Sequence, residues 1–167
     1  MFVRKGLGNV APFLFISLLM FESLKRIANN VKKLDSDKLL KKVFDNKGVQ
    51  QQIIDLNQEQ LRDRHVLPSG KEITRQYSEV SQRIYGKPSG PIILYDTGAF
   101  YNSIKVKSEK ETIIVKGDTI KDTDNGQIDI GGYVGGNPIG LDETSLSEVR
   151  QFILPMVREE VLQAIFK

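Results

Sequence analysis

The sequence predicts an α+β fold in which N-terminal helices and a C-terminal helix pack against a small antiparallel sheet that contains a β-hairpin. Three observations support this prediction. Apolar residues recur every three or four positions in the first third of the chain, as on the buried face of a helix. Two short runs after residue 102 alternate apolar and polar side chains, as strands do. A wide apolar stripe with helical spacing then occupies residues 146–166.

The composition is that of one globular domain. A chain of 167 residues with 40% hydrophobic and 27% charged residues can bury a core. The absence of cysteine excludes disulfides and thiolate metal sites. Residues 1–47 hold ten Lys and Arg against four acids, a net charge of +6, whereas the whole chain carries +3, so the remainder carries −3. Such a basic segment is usually a solvated helix face, although it can also meet phosphate or an acidic protein surface.

The apolar run at residues 10–21 follows Arg4 and Lys5 and has the outline of a secretion signal or membrane anchor. It lacks a cleavage site of small residues, and it is shorter than the roughly 20 residues that a spanning helix needs. An arm that is buried or faces a partner, and a start upstream of the natural one, are the other interpretations. We divide the chain into an apolar N-terminal arm, residues 1–19, and a single α+β domain, residues 20–167.

Three helices are predicted between residues 20 and 61. Residues 35–37 can cap the second helix, and residues 46–48 are expected to end it. Continuous apolar stripes on helices joined by short loops predict core packing. The stripes comprise Phe21, Leu24, Ile27, Ala28, Val31 and Leu34 in the first helix, Leu39, Leu40, Val43 and Phe44 in the second, and Val49, Ile53, Leu56 and Gln60 in the third.

Residues 62–91 are typical of loop, with one short helix expected at residues 72–84. His65 is the only histidine, so a catalytic triad or a histidine-based metal site would depend on it alone, and we expect neither. Basic and tyrosine side chains in this segment suit a nucleic-acid strand or a subunit interface equally well. They are Arg62, Arg64, Lys71, Arg75, Arg83, Lys87, Tyr77 and Tyr85.

The stretch at residues 94–104 lies between the helical first half and the Gly-rich second half. Residues 91–95 predict a short strand, after which Asp96 or Thr97 offers a side-chain oxygen to the free N–H groups of a helical turn. None of its residues is an obvious catalytic group. The candidate turn and interface residues are Asp96, Thr97, Gly98, Phe100, Tyr101 and Ser103.

Residues 103–107 and 112–116 predict the β-hairpin, and residues 127–130 predict a further strand. The acidic run at residues 122–126 invites a calcium interpretation. It fails because the twelfth loop position is Tyr133, where a bidentate Glu is required, so we expect a turn.

The glycine-rich residues 131–140 lack the lysine and the glycine spacing of phosphate-binding loops. We expect a flexible loop that orders when a neighbouring subunit supplies contacts. Asp142 or Thr144 can cap the last helix, and Pro155 predicts a kink or break near Leu154. The apolar stripe of this helix is wider than packing on the sheet requires, so part of it is expected to face a partner.

An apolar strand, the turn Asp96-Thr97-Gly98, the pair Phe100-Tyr101, a β-hairpin and a closing helix together resemble the small virion proteins of tailed phages that complete the tail or join head and tail in the neck. Further residues extend the resemblance over residues 20–167. They are Leu56, Asn57, Gln60, Leu61, Tyr77, Ser78, Gly86, Lys87, Pro88, Ile139, Gly140 and Leu141.

The resemblance implies a structural virion protein without enzymatic activity, assembled in the bacterial host cytoplasm and forming a ring. The implied partners are further copies of the chain and other neck or tail proteins, and contact with packaged DNA is compatible with the basic first half. No cofactor, metal or small-molecule substrate is expected. In this interpretation the turn at residues 96–98 sets the direction of the following helix, and Phe100 anchors it.

Two other classes of function remain open. One is an envelope-associated protein held by its N-terminal apolar segment. The other is a nucleic-acid-binding module or nuclease that uses the basic first half. A nuclease would need metal ligands beside Asp122 and Asp124, and the sequence offers none in view.

Overall fold

The computed structural model describes residues 11–109, 112–123 and 126–166, and only the backbone of residues 11–21. The element order within these ranges confirms the predicted α+β class. The elements are α1 (Ala11–Lys32), α2 (Ser36–Phe44), α3 (Lys47–Arg62), α4 (Glu79–Tyr85), α5 (Ala99–Ser103), β1 (Lys105–Glu109), β2 (Thr112–Lys116), β3 (Ile120–Thr123), β4 (Gly126–Asp129), α6 (Ile130–Val134) and α7 (Glu143–Phe166).

Side-chain caps separate the first helices. The carboxylate of Asp35 accepts a hydrogen bond from the amide of Lys38 (3.0 Å) and begins α2, as predicted. Asn46 does not end that helix. Its side chain accepts a hydrogen bond from the amide of Gly48 (2.8 Å) and begins α3. The second helix ends at Phe44, just before the predicted stop at residues 46–48, but these residues begin α3 rather than cap the end of α2, because Asn46 in extended conformation satisfies a free amide of the next helix.

The apolar stripe of α3 is buried, whereas that of α1 is largely exposed. Val49 and Ile53 of α3 are buried, which confirms the predicted core stripe. Leu24 and Val31 of α1 are 60% and 48% exposed, so the prediction that this stripe packs in the core is wrong. The side-chain amide of Asn30 ties α1 to α7 by donating to the Ile165 carbonyl (2.9 Å). That contact covers only one side of α1, and the neighbouring apolar side faces solvent.

The strands form two separate hairpins. In the first, β1 pairs antiparallel with β2, as predicted, and Val106 lies opposite Val115. In the second, β3 pairs with β4 and Ile120 lies opposite Asp129. The predicted strand near residues 127–130 is confirmed as β4, but it joins β3, which the sequence did not predict. Residues 110–111 and 124–125 of the two expected turns lie outside the described residues.

The segment between α3 and α5 is less regular than predicted. Residues 91–95 form no strand, and only Pro91 makes an isolated bridge, with Gln76. Leu94 has a φ of 54°, which is incompatible with continued pairing. The expected helix at residues 72–84 is confined to α4, because the Ser78 side chain caps it.

The glycine-rich segment and the last helix also depart from expectation. Residues 131–134 belong to α6 rather than to a flexible loop. The carboxylate of Asp142 accepts a hydrogen bond from the amide of Ser145 (3.0 Å) at the start of α7, which confirms the predicted cap. The helix then continues through Pro155 to Phe166. Of the two predicted alternatives near Leu154, the break is therefore wrong, and the kink stays a prediction.

Two apolar clusters make up the core. Val149 of α7 and Val106 of β1 share the second cluster, so the C-terminal helix packs on the first hairpin as predicted. Ile54 and Val115 pack against both clusters. The first cluster comprises Leu61, Leu67, Ile73, Phe100, Tyr101, Ile104, Ile130 and Val134, and the second Val43, Val49, Ile53, Leu56, Val106 and Val149.

The predicted N-terminal arm, residues 1–19, lies outside the described residues as far as residue 10. Its remaining residues belong to the backbone of α1. None of the described helices combines the length and the apolar character that crossing a bilayer requires.

Candidate functional site

A cavity of about 680 Å³ opens beside the turn at residues 96–98. Its walls come from α4, from the segment leading into α5, and from the β3–β4 hairpin. Most of the wall surface is apolar or aromatic, as is usual for sites that bind organic groups or side chains of a partner. We call this cavity the tyrosine groove, and its walls include Tyr77, Tyr85, Tyr95, Phe100, Ile120 and Tyr133.

Asp96 lies in the wall of the tyrosine groove and joins two of its sides. Its carboxylate accepts hydrogen bonds from Lys121 of β3 (2.5 Å) and from Lys87 of the loop after α4 (2.9 Å). The hydrogen bond from Lys121, followed by that from Lys87, lowers the pKa of Asp96 to about 2. The predicted role as a helix cap is therefore wrong for Asp96, whose oxygens hold lysines instead.

Thr97 and Gly98 form the start of α5. The Thr97 hydroxyl accepts a hydrogen bond from the amide of Ala99 (3.3 Å), which is the capping contact predicted for this turn. Gly98 takes a left-handed φ of 79°, and its carbonyl accepts from the amide of Asn102 (2.9 Å). Because side chains are strained at that φ, glycine suits the position.

Phe100 and Tyr101 anchor α5 in the first cluster, with exposures of 8% and 4%. Their ring centroids lie 5.4 Å apart. The Tyr101 hydroxyl donates a hydrogen bond to the Ile93 carbonyl, and burial raises the pKa of the phenol. Phe100 also lines the tyrosine groove, whereas the Tyr101 ring lies 6.0 Å from the ring of Tyr95, which lines the groove.

Ser103 fastens the end of α5 to the segment before β3. Its hydroxyl donates to the Phe100 carbonyl (2.7 Å) and accepts from the amide of Asp118 (2.8 Å). Both bonds satisfy backbone groups, so the hydroxyl serves a positioning role. The six predicted site residues thus form one turn, but only Asp96, Thr97, Gly98 and Phe100 line the groove.

A second polar centre joins two motifs that are far apart in sequence. Asn57 and Gln60 of α3 are fully buried, and their side-chain amides both donate to the Gly140 carbonyl. Asn57 also donates to the Pro138 carbonyl (3.2 Å). Gln60 accepts a hydrogen bond from the amide of Asp142 (2.9 Å). These amides therefore hold the segment that leads into α7.

The glycine-rich segment has its amides occupied by the chain itself. Asp129 accepts hydrogen bonds from the amides of Gly131 (3.0 Å) and Gly132 (3.1 Å). A carboxylate thus fills the position that a phosphate would take at exposed glycine amides. The amides of Gly131 and Gly132 are therefore engaged within the chain.

The basic residues of the middle segment are engaged within the protein. Arg64 pairs with Asp142 (2.8 Å), and the guanidinium of Arg75 lies 3.9 Å from the centre of the Tyr133 ring. The remaining contacts are Arg62 with Asp63, Lys71 with the Gly135 carbonyl, Arg83 with Glu79, and Lys87 with Asp96. Arg64 and Arg75 thus hold remote parts of the fold together, whereas Arg62 and Arg83 form ion pairs at the surface.

Metal-binding chemistry finds no support in the described ranges, where no group of three or more His, Asp or Glu side chains could hold an ion. His65 has a left-handed φ of 54°, and its carbonyl accepts from the amide of Ile73 (2.7 Å). His65 therefore contributes to the backbone turn after α3.

No protein-family model, no curated protein and no solved structure matches the chain. The groove was not predictable from the sequence, because β3 carries no clear alternation and because Tyr133 lies in a glycine-rich segment that is typical of a loop. The aromatic side chains of residues 77–101 were the feature of the sequence that could have indicated the wall of the tyrosine groove.

Proposed function

We propose that the chain is a non-enzymatic structural component of a tailed-phage virion that joins head and tail or completes the tail, and that it acts as a ring of identical copies. The motifs behind the resemblance support this proposal through what their side chains do. Asn57 and Gln60 hold backbone carbonyls, and Lys87 holds Asp96. These polar groups position the backbone, as expected for a protein that acts by binding other protein subunits.

The observation that carries the proposal is the exposed apolar side of α7. Phe152, Leu162 and Phe166 are 44%, 45% and 62% exposed. Spacings of ten and four residues place them on one side of the helix. Burying apolar surface contributes roughly 25 cal/mol per Å², so a face of this kind favours association with a protein partner.

Self-assembly is tested by mass-resolved size-exclusion chromatography and electron microscopy of the full chain and of a shortened chain that starts at Met20. We expect closed rings. A double variant, Phe152→Ser with Leu162→Ser, should dissociate them, whereas Lys107→Ser on an exposed polar strand position should leave them intact.

The virion assignment needs a separate measurement, namely mass spectrometry of purified virions from the source phage. The proposal expects the protein at a fixed copy number per particle. A correctly folded protein that stays monomeric at high concentration and is absent from those virions would contradict it.

A further inference from the structure

We infer that the tyrosine groove receives the exposed apolar side of α1 from a second copy of the chain. This inference rests on the proposed assembly into a ring and names a second contact in that ring, in addition to the one made by the exposed side of α7. Leu24 and Val31 of α1, which we call the apolar strip, are the side chains that enter the groove. Lys32 lies beside them and meets acidic residues at the groove's rim.

The groove has the shape and composition of a receptor for side chains. It is concave, with a volume of about 680 Å³. Aromatic and aliphatic side chains along it remain open to solvent, with Tyr85 71%, Tyr95 50% and Ile120 52% exposed. Tyrosines that combine a broad apolar ring with a polar tip are favoured at protein interfaces. The groove therefore offers apolar area that no described part of its own chain covers.

The apolar strip has matching properties. Leu24 and Val31 are seven residues apart, two helical turns, so they share one side of α1. They are 60% and 48% exposed, while Asn30 on the adjacent side binds the Ile165 carbonyl of α7. An amphipathic helix that places its apolar side in a hydrophobic groove is a recurrent mode of recognition.

Charge selects the groove as the place where the strip binds. Lys32 follows Val31 by one position and lies beside the strip, whereas Lys25 pairs with Glu22 (3.1 Å) on the same helix. Asp118 and Asp122 line the groove, and in the described ranges no lysine or arginine forms an ion pair with either. Opposite charges at the rim of an apolar contact orient the partner and disfavour wrong pairings.

A strip that binds a groove uses two different surfaces of one chain, which is a heterologous contact. Such contacts link copies head to tail and close into a ring when the rotation permits.

Disulfide trapping tests this geometry directly, because the chain has no cysteine of its own. Two single variants, Leu24→Cys and Ile120→Cys, are mixed, one of them isotopically labelled, under mild oxidation at a concentration where rings form. A disulfide requires Cα atoms within about 7 Å. The yield of the Leu24–Ile120 disulfide should be at least about ten times that of the disulfide between Leu24→Cys and the control Lys107→Cys. Binding of the apolar strip in the groove raises the effective concentration of the first pair of thiols only.

Each outcome decides between the possibilities. A preferential Leu24–Ile120 cross-link supports the inference. Rings that form without it, or that cross-link Leu24→Cys to Phe152→Cys instead, overturn the groove assignment and leave the proposed ring intact. A folded chain that stays monomeric at every concentration overturns both.

Charge reversal supplies a second readout at exposed positions. Lys32→Glu and Asp118→Lys should each raise the concentration at which rings dissociate, by about tenfold, and combining them should restore part of the loss. Lys107→Glu is the matched control and should have no effect. Equal effects of all three single variants would overturn the inference.

Discussion

The guanidinium of Arg64 lies 2.8 Å from the carboxylate of Asp142, 78 positions further along the chain. Asp142 is 6% exposed, and its carboxylate also accepts the amide of Ser145. Burial by itself would raise the pKa of Asp142, but the hydrogen bonds from Ser145 and Arg64 outweigh it and keep the pKa below its usual value. The pair therefore joins the end of α3 to the start of α7 in charged form.

Arg64→Met should reduce the free energy of unfolding by about 3 kcal/mol, because it leaves a buried carboxylate without its partner. Urea denaturation at neutral pH measures the change. Arg62→Met is the matched control, since Arg62 pairs with Asp63 at the surface, and it should cost less than about 1 kcal/mol. Equal losses in the two variants would show that the Asp142 carboxylate does not depend on Arg64.

Asp96 should give the protein an acid-sensitive contribution to stability. Its folded pKa of about 2 is below the usual 3.8, so the contribution is complete above about pH 4 and is lost as the pH falls towards 2. The Asp96→Asn variant should therefore lose less stability than the unmodified chain between pH 5 and pH 2. Denaturation series at pH 5, 3 and 2 measure the difference. Parallel curves for the two proteins would refute the expectation.

Gly98→Ala should destabilise the protein by about 1 kcal/mol, because an alanine at a left-handed φ is strained. The added Cβ would lie 3.5 Å from the Tyr95 ring, an ordinary contact, so backbone strain is the expected cause. Gly98→Asn is the control, since asparagine tolerates this conformation better than alanine does. Thermal denaturation should rank glycine above asparagine and asparagine above alanine. If alanine proved better than asparagine, strain at this turn would not be the cause.

Ser103→Ala should cost about 1–2 kcal/mol, because the hydroxyl bonds to both the Phe100 carbonyl and the Asp118 amide. Native-state hydrogen exchange measures the local effect. The amide of Asp118 should exchange faster, with smaller changes in α3. Ser69→Ala, at an exposed loop position, serves as the control. Unchanged exchange at Asp118 would contradict the positioning role.

Strong periodicity explains what the sequence revealed about the fold. The stripe of α3 repeats at three and four positions, and the caps at Asp35 and Asp142 belong to residue types that bind free helix amides. These local signals correctly located α3 and the starts of α2 and α7. The alternation at Val106 and Val115 likewise located the first hairpin.

Non-local geometry explains what the sequence did not reveal. The apolar periodicity of α1 does not show how much of α1 is covered by α7. The exposure of Leu24 was therefore not predicted. The left-handed φ of Leu94 ends a run whose composition favours a strand. β3 has a single large apolar residue, Ile120, and forms only because β4 pairs with it.

The candidate turn was predictable in position but not in detail. Its residues were identified by type, whereas the lysines that bind Asp96 lie 9 and 25 positions away. The arginine partner of Asp142 is likewise remote, and Arg64 could only be grouped with other basic residues. Pairings over such distances depend on the assembled fold.

Ile54 and Val115 belong to neither cluster alone, because each packs against both. Loosening either cluster therefore removes packing from these two side chains and weakens the other cluster as well. The domain should consequently unfold cooperatively, with one heat-absorption peak whose calorimetric and van't Hoff enthalpies agree. Replacing Ile54 by Ala would be the change best suited to make the two apolar clusters melt in separate steps.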